Sequence, residues 1–311
     1  MKSIFKSIIF RSANLLSFPY IKKGNYPILL PFYHAVENLH PSYISGYHIK
    51  NEKQFKQDLD FLLKHYVPVT LDDLKKAEDL PSNAMHITFD DGLKSCSNII
   101  APILLEKGIP ATFFINPAFV DNNDIFHRFL FEMVHKKGIK LPKRFKYYPY
   151  KTKLLETTEN KKIQLKAHIR NNNIYMGMHE LMQLKNEGFT IGAHSMDHPE
   201  FYNIDEEAQY RQVKDSIEWI EKYLSPSTKA FAFPFTDHGI SNKLLKKIHS
   251  EHLVDLSFGT AGLKYDSFHG HLQRIPMEKR SYETAQSILK YEHVYFKIRQ
   301  LMNKNTVLRD D

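Results

Sequence analysis

Short apolar runs recur along the chain and alternate with stretches patterned for helix. The runs are ILLPFY (28–33), MHITF (85–89), ATFFI (111–115), FTIGA (189–193), KAFAF (229–233) and LVDLSF (253–258). Between them, Phe55, Leu59, Leu62 and Leu63 share one helical face. Ile99, Ile100, Ile103 and Leu104 share another, with Gly108 as a stop after them. Tyr210, Val213, Ile217, Ile220 and Leu224 make a third. Strand–helix alternation predicts βαβ units and a parallel sheet, open or closed into a barrel. In such folds chemistry gathers at the C-terminal ends of the strands.

The rhythm breaks over about 120–177, which reads as a partly helical insertion in one catalytic domain, 25–311. Residues 1–24 form a basic, apolar segment ahead of it. There Ile4 with Ile8, and Phe5 with Ile9, share a helical face, Lys2 and Lys6 lie off it, and the first acidic residue is Glu37. Such a segment suits a helix packed on the domain or one lying on an anionic membrane surface.

Composition narrows the classes. With 311 residues, 42% hydrophobic, the chain can bury a large core, yet it has no apolar run long enough to span a bilayer. Its one cysteine, Cys96, allows no intramolecular disulfide, which fits a reducing compartment. A cytoplasmic protein, peripheral at the inner membrane face, is therefore the expectation. The net charge is +8, and residues 136–170 hold twelve Lys or Arg against Glu156 and Glu159, with Phe145, Tyr147, Tyr148 and Tyr150 interleaved. That mixture suits nucleic acid, an anionic glycan or phospholipid head groups, though most such segments are solvated insertions. No nucleic-acid module accompanies it, so no nucleic-acid partner is expected.

Two stretches carry chemistry. HITFDDGLKS (86–95) ends an apolar run with adjacent carboxylates, Asp90 and Asp91, before Gly92. Neighbours on a strand face opposite ways, so the two can share a pocket only if the chain bends there. GAHSMDHPEF (192–201) follows another apolar run and spaces His194 and His198 at i and i+4. A helical turn would point both imidazoles the same way. With Asp91 they make a two-histidine, one-carboxylate set with open positions, the pattern of a catalytic divalent metal, with zinc the expected ion. Asp90, beside the ligand but off the metal, can then accept a proton from water.

TFDDG (88–92) and HSMDH (194–198) together resemble the first two motifs of the NodB-type polysaccharide deacetylases, carbohydrate esterase family 4. PFYHAV (31–36), KGIPATFFINPAF (107–119), FAFPF (231–235) and RIPME (274–278) resemble further segments of it. The resemblance covers about residues 28–280 apart from the insertion. It implies a distorted (β/α) barrel with fewer than eight regular repeats, of NodB-homology type. It also implies metal-dependent removal of N-acetyl groups from an N-acetylated sugar or polysaccharide. Carried over, it makes Asp90 the base, Asp91, His194 and His198 the ligands, and Phe235 the residue whose backbone N–H helps bind the oxyanion. The family's third-motif arginine reads Ala232 here, and Arg274 is the candidate replacement. Its general acid falls to His271, with His269 nearby. Tyr33 and His34 line the pocket or fill the barrel, and Asp237 and His238 sit in a loop near it. The alternatives are a related O-acetyl esterase or amidohydrolase and an inactive glycan-binding relative.

Overall fold

Seven strands close on themselves in the computed structural model, which describes residues 9–39, 41, 44, 48–136, 171–278 and 283–310. The helical face expected around Ile4 and Ile8 and the basic stretch 137–170 lie outside these residues. Six strands are neighbours in chain order and parallel: β1 (Pro31–Tyr33), β2 (Ile87–Phe89), β3 (Ala111–Ile115), β4 (Thr190–Ala193), β5 (Ala230–Ala232) and β6 (Leu256–Gly259). The seventh is bent into two pieces, β7 (His271–Gln273) and β8 (Ile275–Pro276). β7 pairs with β6, while β8 pairs with β1. The change of partner falls at Arg274. Its N–H donates to Gly259 O at 3.2 Å, and the next N–H, of Ile275, donates to Leu30 O at 2.8 Å. One stretch of chain thus seals the barrel, with one repeat fewer than eight.

Helices surround it: α1 (Glu52–His65), α2 (Ala101–Glu106), α3 (His127–Lys136), α4 (Met178–Asn186), α5 (Glu206–Leu224), α6 (Asn242–Ser250) and α7 (Ala285–Leu301). Their starts follow local chemistry. Asn51 and Gln54 form a capping box on α1, and the Asp205 side chain accepts from Ala208 N–H at the head of α5. Side-chain alternation along the strands divides the core. Tyr33, Phe89, Phe113, Ile191 and Phe231 join Phe55, Leu59, Ile103 and Ile217 between sheet and helices. Leu30, Phe114, Ala230, Ala232, Leu256 and Phe258 form a separate cluster, which fills the barrel. Gly192 faces that interior, where a Cβ would come within 2.5 Å of the Phe114 ring.

Candidate active site

Pairing of β2 with β1 runs one residue past the strand, since Asp90 N–H donates to Tyr33 O at 2.9 Å. Asp90 therefore keeps the inward face that Thr88 has. The chain then turns through two left-handed residues, Asp91 (φ 73) and Gly92 (φ 64). Non-glycine residues rarely adopt that conformation, and it is costly unless the surroundings impose it. The turn keeps both carboxylates buried, at 2% exposure each.

The second stretch follows β4. His194 N–H continues the β3 pairing onto Ile115 O at 2.8 Å. The residues after it form no helical turn, contrary to the spacing argument. Ser195 (φ 66) and His198 (φ 60) are both left-handed, and this loop, not a helix, brings the imidazoles together with ring centroids 4.8 Å apart. Asn116, which the sequence did not single out, holds the loop. Its amide donates to the carbonyls of His194 and Ser195. The Ser195 hydroxyl in turn accepts from His198 N–H at 3.1 Å.

Asp91 Oδ1 lies 3.5 Å from His194 Nε2 and 3.1 Å from His198 Nε2. The metal-ligating atoms of the three all fall within 4.8 Å of one another. The residues fit a cation on a specific ground. His194 Nδ1 donates to Ala232 O at 2.7 Å, which leaves Nε2 as a bare lone pair. Burial lowers the His194 imidazole to about 4, so the ring is neutral. A bare nitrogen and a carboxylate oxygen facing each other at 3.5 Å repel unless a cation lies between them.

Asp90 is served separately. Arg274, fully buried, donates from both terminal nitrogens to its two oxygens, at 2.6 and 2.8 Å. The same guanidinium donates to Thr88 Oγ1 at 3.0 Å and lies 4.4 Å from the Phe32 ring. Burial alone would raise the Asp90 carboxyl, but the Arg274 charge outweighs it and holds the group below its ordinary value. Asp90 is thus oriented although position 232 carries no arginine. The guanidinium comes instead from the closing strand. Ala232 belongs to the interior cluster with Phe114, whose ring Arg274 approaches to 5.3 Å.

Phe235, half-buried and left-handed (φ 59), lies beside the cluster, with its ring 4.6 Å from that of His198. Among the described residues its N–H has no acceptor. Phe126 and Arg128 complete that wall. The Phe126 ring lies tilted against His198 with centroids 4.4 Å apart, and the Arg128 guanidinium sits 4.1 Å over Phe235.

The structure does not bring His271 to Asp90. Two residues before Arg274 comes Leu272, and alternation turns His271 and Gln273 to the outer side of the strand. There the His271 ring meets Ser257 Oγ at 2.7 Å and Asp237 Oδ2 at 3.2 Å. His269 and His238 are exposed. Tyr33 also turns outward, toward Asp58, its hydroxyl at 3.4 Å. His34 instead follows β1 at the same barrel end as Asp90. Its Nδ1 lies 2.7 Å from Glu278 Oε2, which also accepts from His34 N–H at 2.9 Å. Burial would lower this imidazole, but Glu278 more than offsets that and lifts it to about 9. Unlike His194 and His198, its side chain is 18% exposed. His34 and Glu278 stand 244 positions apart, and only barrel closure makes them neighbours.

The family model described as Polysaccharide deacetylase matches residues 77–252, more than half of the chain. The chain belongs to the polysaccharide deacetylase family. It is thus a hydrolase of the amide bonds of acetylated polysaccharides. No curated protein sequence matches it. Solved structures share the fold at low identity. The deacetylase PplD of Streptococcus pyogenes, in complex with acetate, is 17% identical with a TM-score of 0.59, over 86% of this chain and 99% of that one. IcaB from Ammonifex degensii is 15% identical with a TM-score of 0.58, over 86% and 98%. A de-N-acetylase from Aggregatibacter actinomycetemcomitans is 14% identical with a TM-score of 0.57, over 85% and 99%.

Proposed function

We propose that this deacetylase hydrolyses N-acetyl groups of a glycan with a divalent cation, zinc by expectation, held by Asp91, His194 and His198. The observation that carries this is the convergence of three ligand atoms beside a carboxylate, Asp90, whose two oxygens are fixed by Arg274. A cation there supplies a lowered pKa for water and a polarised acetyl carbonyl. Asp90, ionised and immobile, accepts the proton that water loses as it adds to the carbonyl carbon. The Phe235 N–H donates to the oxyanion that develops. His34, held by Glu278, takes the general-acid role that the family resemblance assigned to His271. It donates a proton to the sugar nitrogen as the C–N bond breaks. Acetate and a free amine result. Acetate is the molecule bound in the similar S. pyogenes deacetylase, and the A. actinomycetemcomitans neighbour is a de-N-acetylase.

The test is acetate release from a panel of N-acetylated glycans and from O-acetylated ones, with metal removed by chelator and restored. Metal-dependent release from the N-acetylated set alone is the expected result. Release from the O-acetylated set alone would make the protein an esterase, and undiminished release without metal would remove the cation.

A further inference from the structure

We propose that residues 11–23 form a docking surface for an anionic membrane, on which the protein lies without crossing it. The segment is helical over 9–14 and again over Phe18–Ile21. One side of it is spent on the domain. Ile9, Ala13, Phe18 and Ile21 are buried. The Phe18 ring meets Phe61 of α1 at 5.0 Å and His293 of α7 at 5.4 Å, and Phe10 meets Tyr291 at 6.0 Å. Lys290 donates to Asn14 O at 3.2 Å, which ties the turn between the two helical pieces to α7.

The other side has no such use. Leu15 is 88% exposed, Leu16 43% and Tyr20 67%. Single exposed apolar side chains are ordinary, but three large ones within six residues, on a segment already anchored by its opposite face, are not. The occupant follows from charge. Arg11 and Lys23 flank the three and are exposed, Lys2 and Lys6 precede them in sequence, and no acidic residue occurs before Glu37. Lys22 is turned inward instead, onto the His65 carbonyl and the Tyr66 ring. Leucines and a tyrosine framed by cations match the boundary of an anionic bilayer, where the apolar groups enter the acyl edge and the cations stay with the head groups. Among the described residues no helix is long and apolar enough to cross a membrane, so the contact is peripheral.

The placement has a direction. The segment feeds β1 at the N-terminal end of the strands, whereas Asp90, Asp91 and His194 follow strand C-termini. A barrel held this way turns its site away from the bilayer, toward glycan in the surrounding medium. The inference does not rest on the proposed reaction.

The experiment floats the full-length protein with vesicles of phosphatidylcholine, alone and with part of it replaced by phosphatidylglycerol. Binding to the anionic vesicles only, weakened by salt, is the expected result. The Leu15→Ser/Leu16→Ser/Tyr20→Ser variant should partition about tenfold less or weaker still, and Arg11→Glu/Lys23→Glu should behave likewise. Both should melt like wild type, because every altered side chain is exposed. Binding to neither vesicle, equal binding to both, or a triple variant that binds like wild type would overturn the proposal. So would concentration-dependent self-association that the triple variant abolishes, since a second copy of the chain would then cover the patch.

Discussion

Two corners of this molecule offer nearly the same atoms and have opposite characters. Asp91, His194 and His198 bring one carboxylate and two imidazoles within 4.8 Å, and Asp237, Asp266 and His271 bring two carboxylates and one imidazole equally close. By ligand type and spacing either could hold a cation. The second already has one. Arg309 donates to Asp237 Oδ2 and, at 2.7 Å, to Asp266 Oδ2, while Gln273 donates to the same two oxygens at 2.7 and 2.9 Å. In the first the Asp91 carboxylate faces two imidazoles, and the cation of its neighbourhood, Arg274, is taken by Asp90. What separates a candidate metal site from an ion-pair network is therefore where the arginines go, not the inventory of donors.

The largest effect should come from emptying the first corner. His194→Ala/His198→Ala should fall from about one divalent ion per chain to near none, with acetate release abolished. Elemental analysis should show that Asp266→Asn/His271→Ala keeps its ion. A second ion lost from that variant would erase the distinction drawn above.

Next comes a division of labour inside the first corner. Asp90→Asn should keep its metal while kcat falls roughly 10²–10⁴ with little change in KM, the usual share of a positioned general base. Asp91→Asn should lose metal instead and recover part of its rate when metal is added. Metal stoichiometry measured beside rate separates them, and equal metal loss in both variants would show that the two aspartates share one role.

A smaller effect belongs to the second corner. Arg309→Gln strips the charge from a buried network and should destabilise the fold by about 3–5 kcal/mol, as removal of one partner from a buried ion pair does. Denaturant melts would measure this, with the metal count unchanged. Asp237 should stay ionised in the wild type throughout the neutral range. Burial would raise its carboxyl, but His271, Arg309 and Gln273 outweigh that and hold it far below its ordinary value.

The smallest effect, taken per pH unit and per side chain, is one of pH. His86, between Val69 O and Thr112 Oγ1, and His293, against Tyr66, are each lowered by burial to about 4. Above pH 6.5 both are neutral, folded or unfolded, and contribute no pH dependence. Below it the unfolded chain takes up protons that the fold refuses, so stability should fall by about 1.4 kcal/mol per pH unit per histidine toward pH 4. Thermal melts between pH 7 and 4 read this. Substituting Gln for His86 should flatten the slope.

Much of this was legible in the sequence, for reasons that also mark its limits. ATFFI became β3 without a residue's difference, because an apolar run in a parallel sheet has no polar face to mislead the eye. The carboxylate pair and the two histidines were visible because each follows such a run. The closing strand escaped notice because HLQRIP hardly reads as a strand at all. His271 and Gln273 face an outer polar network, Arg274 faces a buried carboxylate, and Pro276 sits where the strand ends. The same blindness put His271 in the site, since distance along the chain does not say which face of a strand a side chain takes. His34 was seen, but its partner Glu278 was not, and no local pattern links residues at the two ends of a barrel.

The bend at Arg274 makes catalysis a gauge of closure. The residue that orients Asp90 is also the point where the last strand lets go of β6 and takes hold of β1. Asp91, His194 and His198 follow β2 and β4, neither of which takes part in that join. Prying the join open would unhook the guanidinium from its carboxylate and leave the ligands in place. Under mild denaturant such an enzyme should fall silent while still carrying its ion, and wake when the last strand clicks back.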